Sequence, residues 1–184
     1  AVEHDQSANL QLLWEKARQT GATRVGVVLC KNLKSFDYIH NLGAAGFQQE
    51  LDASVAPIPK FVYCPDSKRQ QTISDLNDWI AAYSPQVVIG DSDSVCEMLM
   101  QTGAAVPEDI SFLSLRSGIG HRPSLPSHMH TSGISLCIRE AGQVAANLLS
   151  MQIQNNNRGL PAVRITHLIQ TNYLTGHTLR PQVR

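Results

Sequence analysis

Residues 86–115 read QVVIGDSDSVCEMLMQTGAAVPEDISFLSL, and this stretch decides the architecture. Val87 to Ile89 form a short apolar run of the kind that makes a buried strand, and Asp91 and Asp93 place acidic groups at its end. A short helix closed by Gly103 follows, then a Val-Pro-Glu-Asp turn and a second apolar run, Ile110 to Leu115. Two strands bridged by a helix make a βαβ unit, because parallel strands require such a crossover. Ligands of open α/β sheets sit beyond the carboxyl ends of the strands. Asp91 to Ser94 therefore stand where a site is expected.

Working towards the N-terminus, Ile73, Leu76, Ile80 and Tyr83 recur at helical spacing, and the strand before them is Lys60 to Cys64, broken by Pro65 and Asp66. Ser35 is placed to cap a helix running to Leu51, with Phe36, Ile39, Gly43, Gly46 and Phe47 near one face. Its two glycines each cost about 1 kcal/mol against alanine, which points to close packing or a nearby ligand, packing being the simpler expectation. VGVVLC, opened by Arg24, is an apolar run covered on both faces, and it ends in a polar loop from Lys31. Asp5 or Ser7 can cap a first helix with Leu10, Leu13, Trp14 and Ala17 on its buried face and Gly21 as its stop. Helices and strands thus alternate, which predicts an α/β fold with a doubly wound parallel sheet.

After Leu115 the pattern changes. RSGIGHRPSLPSHMHTSG has no period and reads as a long connection, after which Gly133 and Ile134 lead into a helix ending near Gln154. Ile138, Ala141, Ala145, Leu148 and Met151 give that helix a wide apolar face, which needs cover from more than one side. A polar stretch separates it from a last strand, Val163 to Ile169.

A chain of 184 residues suits one sizeable core. Its 15 basic and 15 acidic residues balance, so the surface does not have the basic excess of a nucleic-acid or anionic-membrane binder. With no apolar run near ~20 residues and no leader-like start, a cytoplasmic protein without a membrane span is expected. Cys30, Cys64, Cys96 and Cys137 are widely spaced and read as small buried residues rather than a disulfide framework.

Several of these motifs together resemble the effector-binding domain of the LacI/GalR family of transcriptional repressors, whose fold is that of type I periplasmic binding proteins. The family's strand, ligand-contacting Asp, helix and Gly-x-x-Val-Pro-Glu-Asp-Ile pattern is matched by Asp91 or Asp93, Gly103 and Val106 to Ile110. Asp5, Gly21 and Arg24-Val25-Gly26 resemble its first helix and strand, Gly46-Phe47 its next helix, and Ser132-Gly133-Ile134, Gly142 and Leu168 to Thr178 its closing elements. The resemblance implies mainly the C-terminal subdomain over residues 1–116. Residues 117–184 would be a crossing loop, a helix of the N-terminal subdomain and returning tail strands, and the DNA-binding headpiece would be absent. It also implies a sugar-like effector, a homodimer, contact with operator DNA only through that headpiece, and neither cofactor nor catalysis. The position of the family's effector-binding arginine is Gly43, which removes the usual hydroxyl or phosphate clamp.

Asp91 and Asp93 read equally as acceptors for ligand hydroxyls and as caps of the next helix. Asn32, Ser35 and Phe36 follow one strand and Tyr63 and Asp66 another, so all are expected at the same sheet edge. Arg116 and His121 open the crossing loop, where a solvated role is the simpler expectation. His128 and His130 could offer two imidazoles to a metal, with no third ligand at useful spacing, so no metal is expected. Val95, Met98 and Leu99 read as core or, by the resemblance, as part of a dimer contact. Two other functions compete. The Asp91-Ser92-Asp93 pattern superficially resembles haloacid-dehalogenase-like phosphatases, where one Asp attacks phosphate beside magnesium. A periplasmic solute-binding protein shares the fold.

Overall fold

The computed structural model describes residues 1–32, 36–117, 129–157, 159, 163 and 165–181, with Phe36 described in its backbone alone. By their contacts these residues form two compact units. The larger comprises Gln6–Ser135 with Tyr173–Arg184, and the smaller comprises Ala1–Asp5 with Leu136–Asn172.

In the larger unit, four successive apolar stretches become the strands β2 (Val25–Cys30), β3 (Phe61–Tyr63), β4 (Val87–Gly90) and β5 (Ser111–Ser114). With β6 (Ser132–Ser135) and β8 (Asn172–Leu174) they form one sheet in the order β3-β2-β4-β5-β6-β8. The first five strands are parallel, with Val28 opposite Phe61 and Val27, Ile89 and Leu113 in register across β2, β4 and β5. All four residues of β4 and of β5 are buried, as helix-covered parallel strands require.

The helices connecting these strands are α1 (Gln6–Gln19), α2 (Phe36–Leu51), α3 (Arg69–Tyr83) and α4 (Asp93–Gln101). Strand side chains alternate between faces. Val28, Val88 and Phe112 on one face join Leu76 and Trp79 of α3 and Val95 and Leu99 of α4 in a single apolar cluster. Helix α1, which packs on α2, buries Leu10, Leu13, Trp14 and Ala17 as its spacing predicts. The doubly wound sheet is therefore present. Because the chain goes from β2 out to β3 and then returns past β2 to β4, the winding reverses between β2 and β4.

Gly90 shows how closely α4 lies on the sheet: a Cβ there would stand 2.7 Å from Phe112 Cε2 and 2.8 Å from Val95 Cβ. At the other end of α4, Gly103 takes φ +94°, a left-handed conformation that suits glycine and ends the helix.

The structure corrects four local expectations. Gly133 and Ile134 do not lead into a helix. They lie in β6, where Gly133 pairs with Ser114, and the helix α5 (Ile138–Gln154) starts after Cys137 in the left-handed region. In α3 the buried stripe is Thr72, Leu76 and Trp79, while Tyr83 is exposed: Trp79 turns inward and its Nε1–H donates to Pro59 O at 2.8 Å. The strand expected over Val163 to Ile169 is the shorter β7 (His167–Ile169), and it is not the last, since β8 follows it. Finally, β1 (Val2–His4), three residues with no readable period, pairs in parallel with β7 in the smaller unit. Helix α5 belongs to that unit and buries none of its residues: Leu149, Met151 and Ile153 are all more than half exposed. Among the described residues no helix is long and apolar enough to cross a membrane.

Candidate functional site

The winding reversal between β2 and β4 leaves a crevice at the carboxyl ends of these two strands, the position where doubly wound sheets hold ligands. A cavity of about 80 Å³ opens there. Leu29, Cys30 and Asn32 line it from the end of β2, Asp37, Tyr38 and Asn41 from the first turns of α2, Asp91 from the end of β4, and Arg116 from beyond β5.

Asp91 is the centre of this arrangement. Its backbone N–H continues the ladder by donating to Val28 O at 3.1 Å, which fixes where the side chain begins. The carboxylate is buried and accepts from the Cys30 backbone N–H at 3.0 Å and from Ser92 Oγ at 3.1 Å. Arg116 Nε donates to Asp91 O at 3.0 Å, and a guanidinium nitrogen stands 3.9 Å from the carboxylate. Burial raises the Asp91 pKa above the ordinary aspartate value. The Cys30 amide, the Arg116 charge and the Ser92 and Tyr63 hydroxyls oppose that rise. The same burial, reinforced by the Asp91 charge, raises the pKa values of the neighbouring Tyr63 phenol and Cys30 thiol. Both therefore stay protonated at neutral pH and remain hydrogen-bonding groups rather than nucleophiles.

Asn41 completes the site. Its side chain is 5% exposed, and its Oδ1 has no hydrogen-bond partner among the described residues. Such an atom is rare, since a buried acceptor that has left water normally finds a donor.

The sequence-predicted residues separate into distinct positions. Asp91 and Asn32 line the cavity, and Tyr63 stands beside it with its hydroxyl bonded to Ser94. Asp93 faces elsewhere: its Oδ1 accepts from Thr131 Oγ1 at 2.6 Å, and that hydroxyl is in turn 2.8 Å from Ser117 Oγ. Asp66 lies exposed in the turn after β3 and does not line the cavity. Ser35 lies outside the described residues, as do His121 and His128, and Phe36 is described only as the first residue of α2. Val95, Met98 and Leu99 are buried in the core of their own chain, so they act in packing, and a partner chain would have to meet other residues of α4.

Sequence reasoning missed Asp37, Tyr38 and Asn41, and it underrated Arg116. Residue 41 lies about one helical turn beyond residues 37 and 38 at the start of the helix that follows the first strand, a signal that was available. The inward turn of Arg116 was not, because it depends on Asp91 O being within reach. Among the described residues no three His, Cys, Asp or Glu side chains are grouped to hold a metal, and the exposed His130 ring lies 5.9 Å from His177.

An open parallel sheet with its crevice at the winding reversal defines a doubly wound α/β domain of the binding-protein type. The chain belongs to the family of periplasmic binding protein-like domains, whose model matches residues 15–177. No protein of curated function matches it. Among solved structures it is similar to the transcription regulator CcpA of Lactococcus lactis, at 13% identity and a TM-score of 0.69 over 97% of this chain and 64% of that one. It is also similar to a LacI family transcriptional regulator from Arthrobacter sp. FB24 in complex with lactose, at 14% identity and a TM-score of 0.68 over 97% and 66%. The dimeric Lac repressor gives 18% identity and a TM-score of 0.75 over 97% and 63%. The chain thus spans just under two thirds of the length of most of these structures, and its fold is that of LacI-type effector-binding domains.

Proposed function

We propose that this chain is the ligand-sensing part of a LacI-type transcription regulator, working in the cytoplasm and binding a small sugar-like molecule without transforming it. The observation that carries the reading is the placement of Asp91. It is a buried carboxylate at the end of β4, facing a cavity at the winding reversal rather than a partner side chain that would use all its acceptor capacity. A cavity of about 80 Å³ is small beside the few hundred Å³ typical of a ligand site. The reading therefore has a second wall of the full-length protein closing over the strand ends, as in an inter-subdomain cleft. On the same reading residues 1–116 belong to the C-terminal subdomain, and 117–184 supply a crossing loop, a helix of the other subdomain and the returning tail. The exposed apolar face of α5 supports this, since a helix of that kind needs cover.

Regulation requires a ligand that binds two states unequally. The proposed states are an open and a closed arrangement in a homodimer whose operator contacts come from a helix-turn-helix headpiece. The Lac repressor solved as a dimer bound to operator, and the Arthrobacter regulator solved with lactose, support the assignment of partners. The phosphatase reading needs Asp91 and Asp93 to act together on one phosphate. Here they serve separate networks, Asp91 with Cys30 and Asp93 with Thr131.

The test is a thermal-shift screen of sugars and their derivatives on the full-length protein, followed by operator binding with and without the hit. A ligand of the native state raises the melting temperature, by mass action. The expected result is a hit that also changes operator affinity. Magnesium-dependent phosphatase activity abolished by Asp91→Asn would overturn the reading.

A further inference from the structure

The polar lining of the cavity is unbalanced, and the imbalance says which ligand chemistry it accepts. Asn41 Oδ1 is buried and unpartnered among the described residues, so it offers an acceptor and waits for a donor. The Asp91 carboxylate, itself 6% exposed, is acceptor-only when ionised, and Asp37, whose Oδ1 accepts from Gln6 Nε2 at 3.2 Å, adds a second negative charge to the same wall. Against these, Arg116 is the one cation among the lining residues. Its Nε–H is already committed to Asp91 O, and its guanidinium stands 3.9 Å from the Asp91 carboxylate.

A carboxylate or phosphate on the ligand would bring further acceptors against Asn41, Asp91 and Asp37. The lining sets two carboxylates against a single guanidinium, which already stands beside Asp91, so the repulsion would not be offset. A hydroxyl or ammonium group would instead meet the acceptors already in place. We propose that this cavity selects a ligand that is rich in hydrogen-bond donors and carries no negative charge, a neutral polyol or an amino sugar, with Asn41 Oδ1 and the Asp91 carboxylate as its acceptors. The inference rests on the ligand-binding reading above and narrows it. Asn41 then sets specificity: it replaces the water a hydroxyl loses on entering, and an incoming acceptor is penalised at the same atom.

The test uses the full-length protein and four pools of small carbohydrates matched in size: neutral sugars, amino sugars, sugar acids and sugar phosphates. Melting temperature is read first and affinity by calorimetry for the active member. The expected result is a shift with the neutral or amino pool and none with the acids or phosphates. Asn41→Leu should weaken the active ligand about tenfold or more, the loss expected for one hydrogen bond to a buried group. It should also leave the unliganded melting temperature unchanged or raised, because the unpaired atom is gone. Asn41→Asp, which keeps the acceptor and loses the amide donor, should still bind.

A shift confined to the acid or phosphate pools would overturn the inference while leaving the ligand-binding reading in place. No shift with any pool would overturn both. A lower unliganded melting temperature in Asn41→Leu together with unchanged affinity would show that Asn41 serves the fold alone. Loss of binding in Asn41→Asp would show that Asn41 donates to the ligand, against the proposal.

Discussion

Two helices with similar sequence patterns meet opposite fates in this chain. Helix α4 is nine residues long and buries Val95, Cys96, Met98 and Leu99 between β4, β5 and α3. Helix α5 is seventeen residues long, carries apolar residues at the same spacing, and buries none of them. The difference lies in the neighbourhood. Helix α4 has a six-stranded sheet beneath it, whereas among the described residues the smaller unit offers α5 only the two short strands β1 and β7. Two strands make a marginal platform. Amphipathic spacing therefore records that a helix requires cover, and the larger fold decides whether this chain supplies it.

Truncation breaks or sharpens this contrast most strongly. Leu99→Ala, at a fully buried side chain, should cost about 2–5 kcal/mol through lost transfer energy and the cavity left behind. Leu149→Ala on α5, 59% exposed, should change the stability of this chain by no more than about 0.5 kcal/mol. Equal losses in urea denaturation would mean that α5 is covered after all. If α5 meets more protein in the full-length molecule, Leu149→Ala should become costly there and only there.

A smaller effect is expected where the site meets the core. Thr131→Val keeps the shape of the side chain but removes the hydroxyl that donates to Asp93 Oδ1, and should cost about 1–3 kcal/mol. Ligand affinity should survive the change, because Asp93 faces away from the cavity. A matching loss of affinity would place Asp93 in the site.

Asp91→Asn should act in the opposite direction on stability. Burial raises the Asp91 pKa in the folded state above its unfolded value, so the protonated carboxyl favours folding below the unfolded pKa. That contribution is lost as pH rises through the folded value, and at neutral pH the buried charge is a cost. The variant should therefore be at least as stable as the parent at neutral pH, with the advantage fading as pH falls through the raised folded pKa and gone below the ordinary aspartate value of 3.8. Denaturation midpoints of the two proteins across pH would show it. A variant less stable at pH 7 than at pH 4, relative to the parent, would reverse the sign of the argument.

Much of the sheet was legible from residue types alone. VGVVLC and VVIG are apolar runs bounded by polar residues, and Gly103 marks a helix end because only its backbone turns left-handed there without strain. Strand β6 was not legible, since Ser-Gly-Ile-Ser has no apolar alternation and becomes a strand only because β5 presents an open edge to it. The site was half legible. Periodicity locates strand ends, so Asn32, Tyr63 and Asp91 could be placed on one rim. It does not fix which way a residue just beyond a strand turns, so Asp91 and Asp93 could not be separated without the Cys30 amide and the Thr131 hydroxyl. Asn41 was hidden for a related reason: a single polar residue in a helix gives no sign that its oxygen will be left without a donor.

The central claim is that Asp91 holds a small ligand at the winding reversal. A calorimetric titration of the full-length protein and its Asp91→Asn variant with the carbohydrate that most raises the melting temperature tests it directly. The account predicts tight binding to the parent and at least tenfold weaker binding to a variant that remains folded. Equal affinity in the two proteins would contradict it.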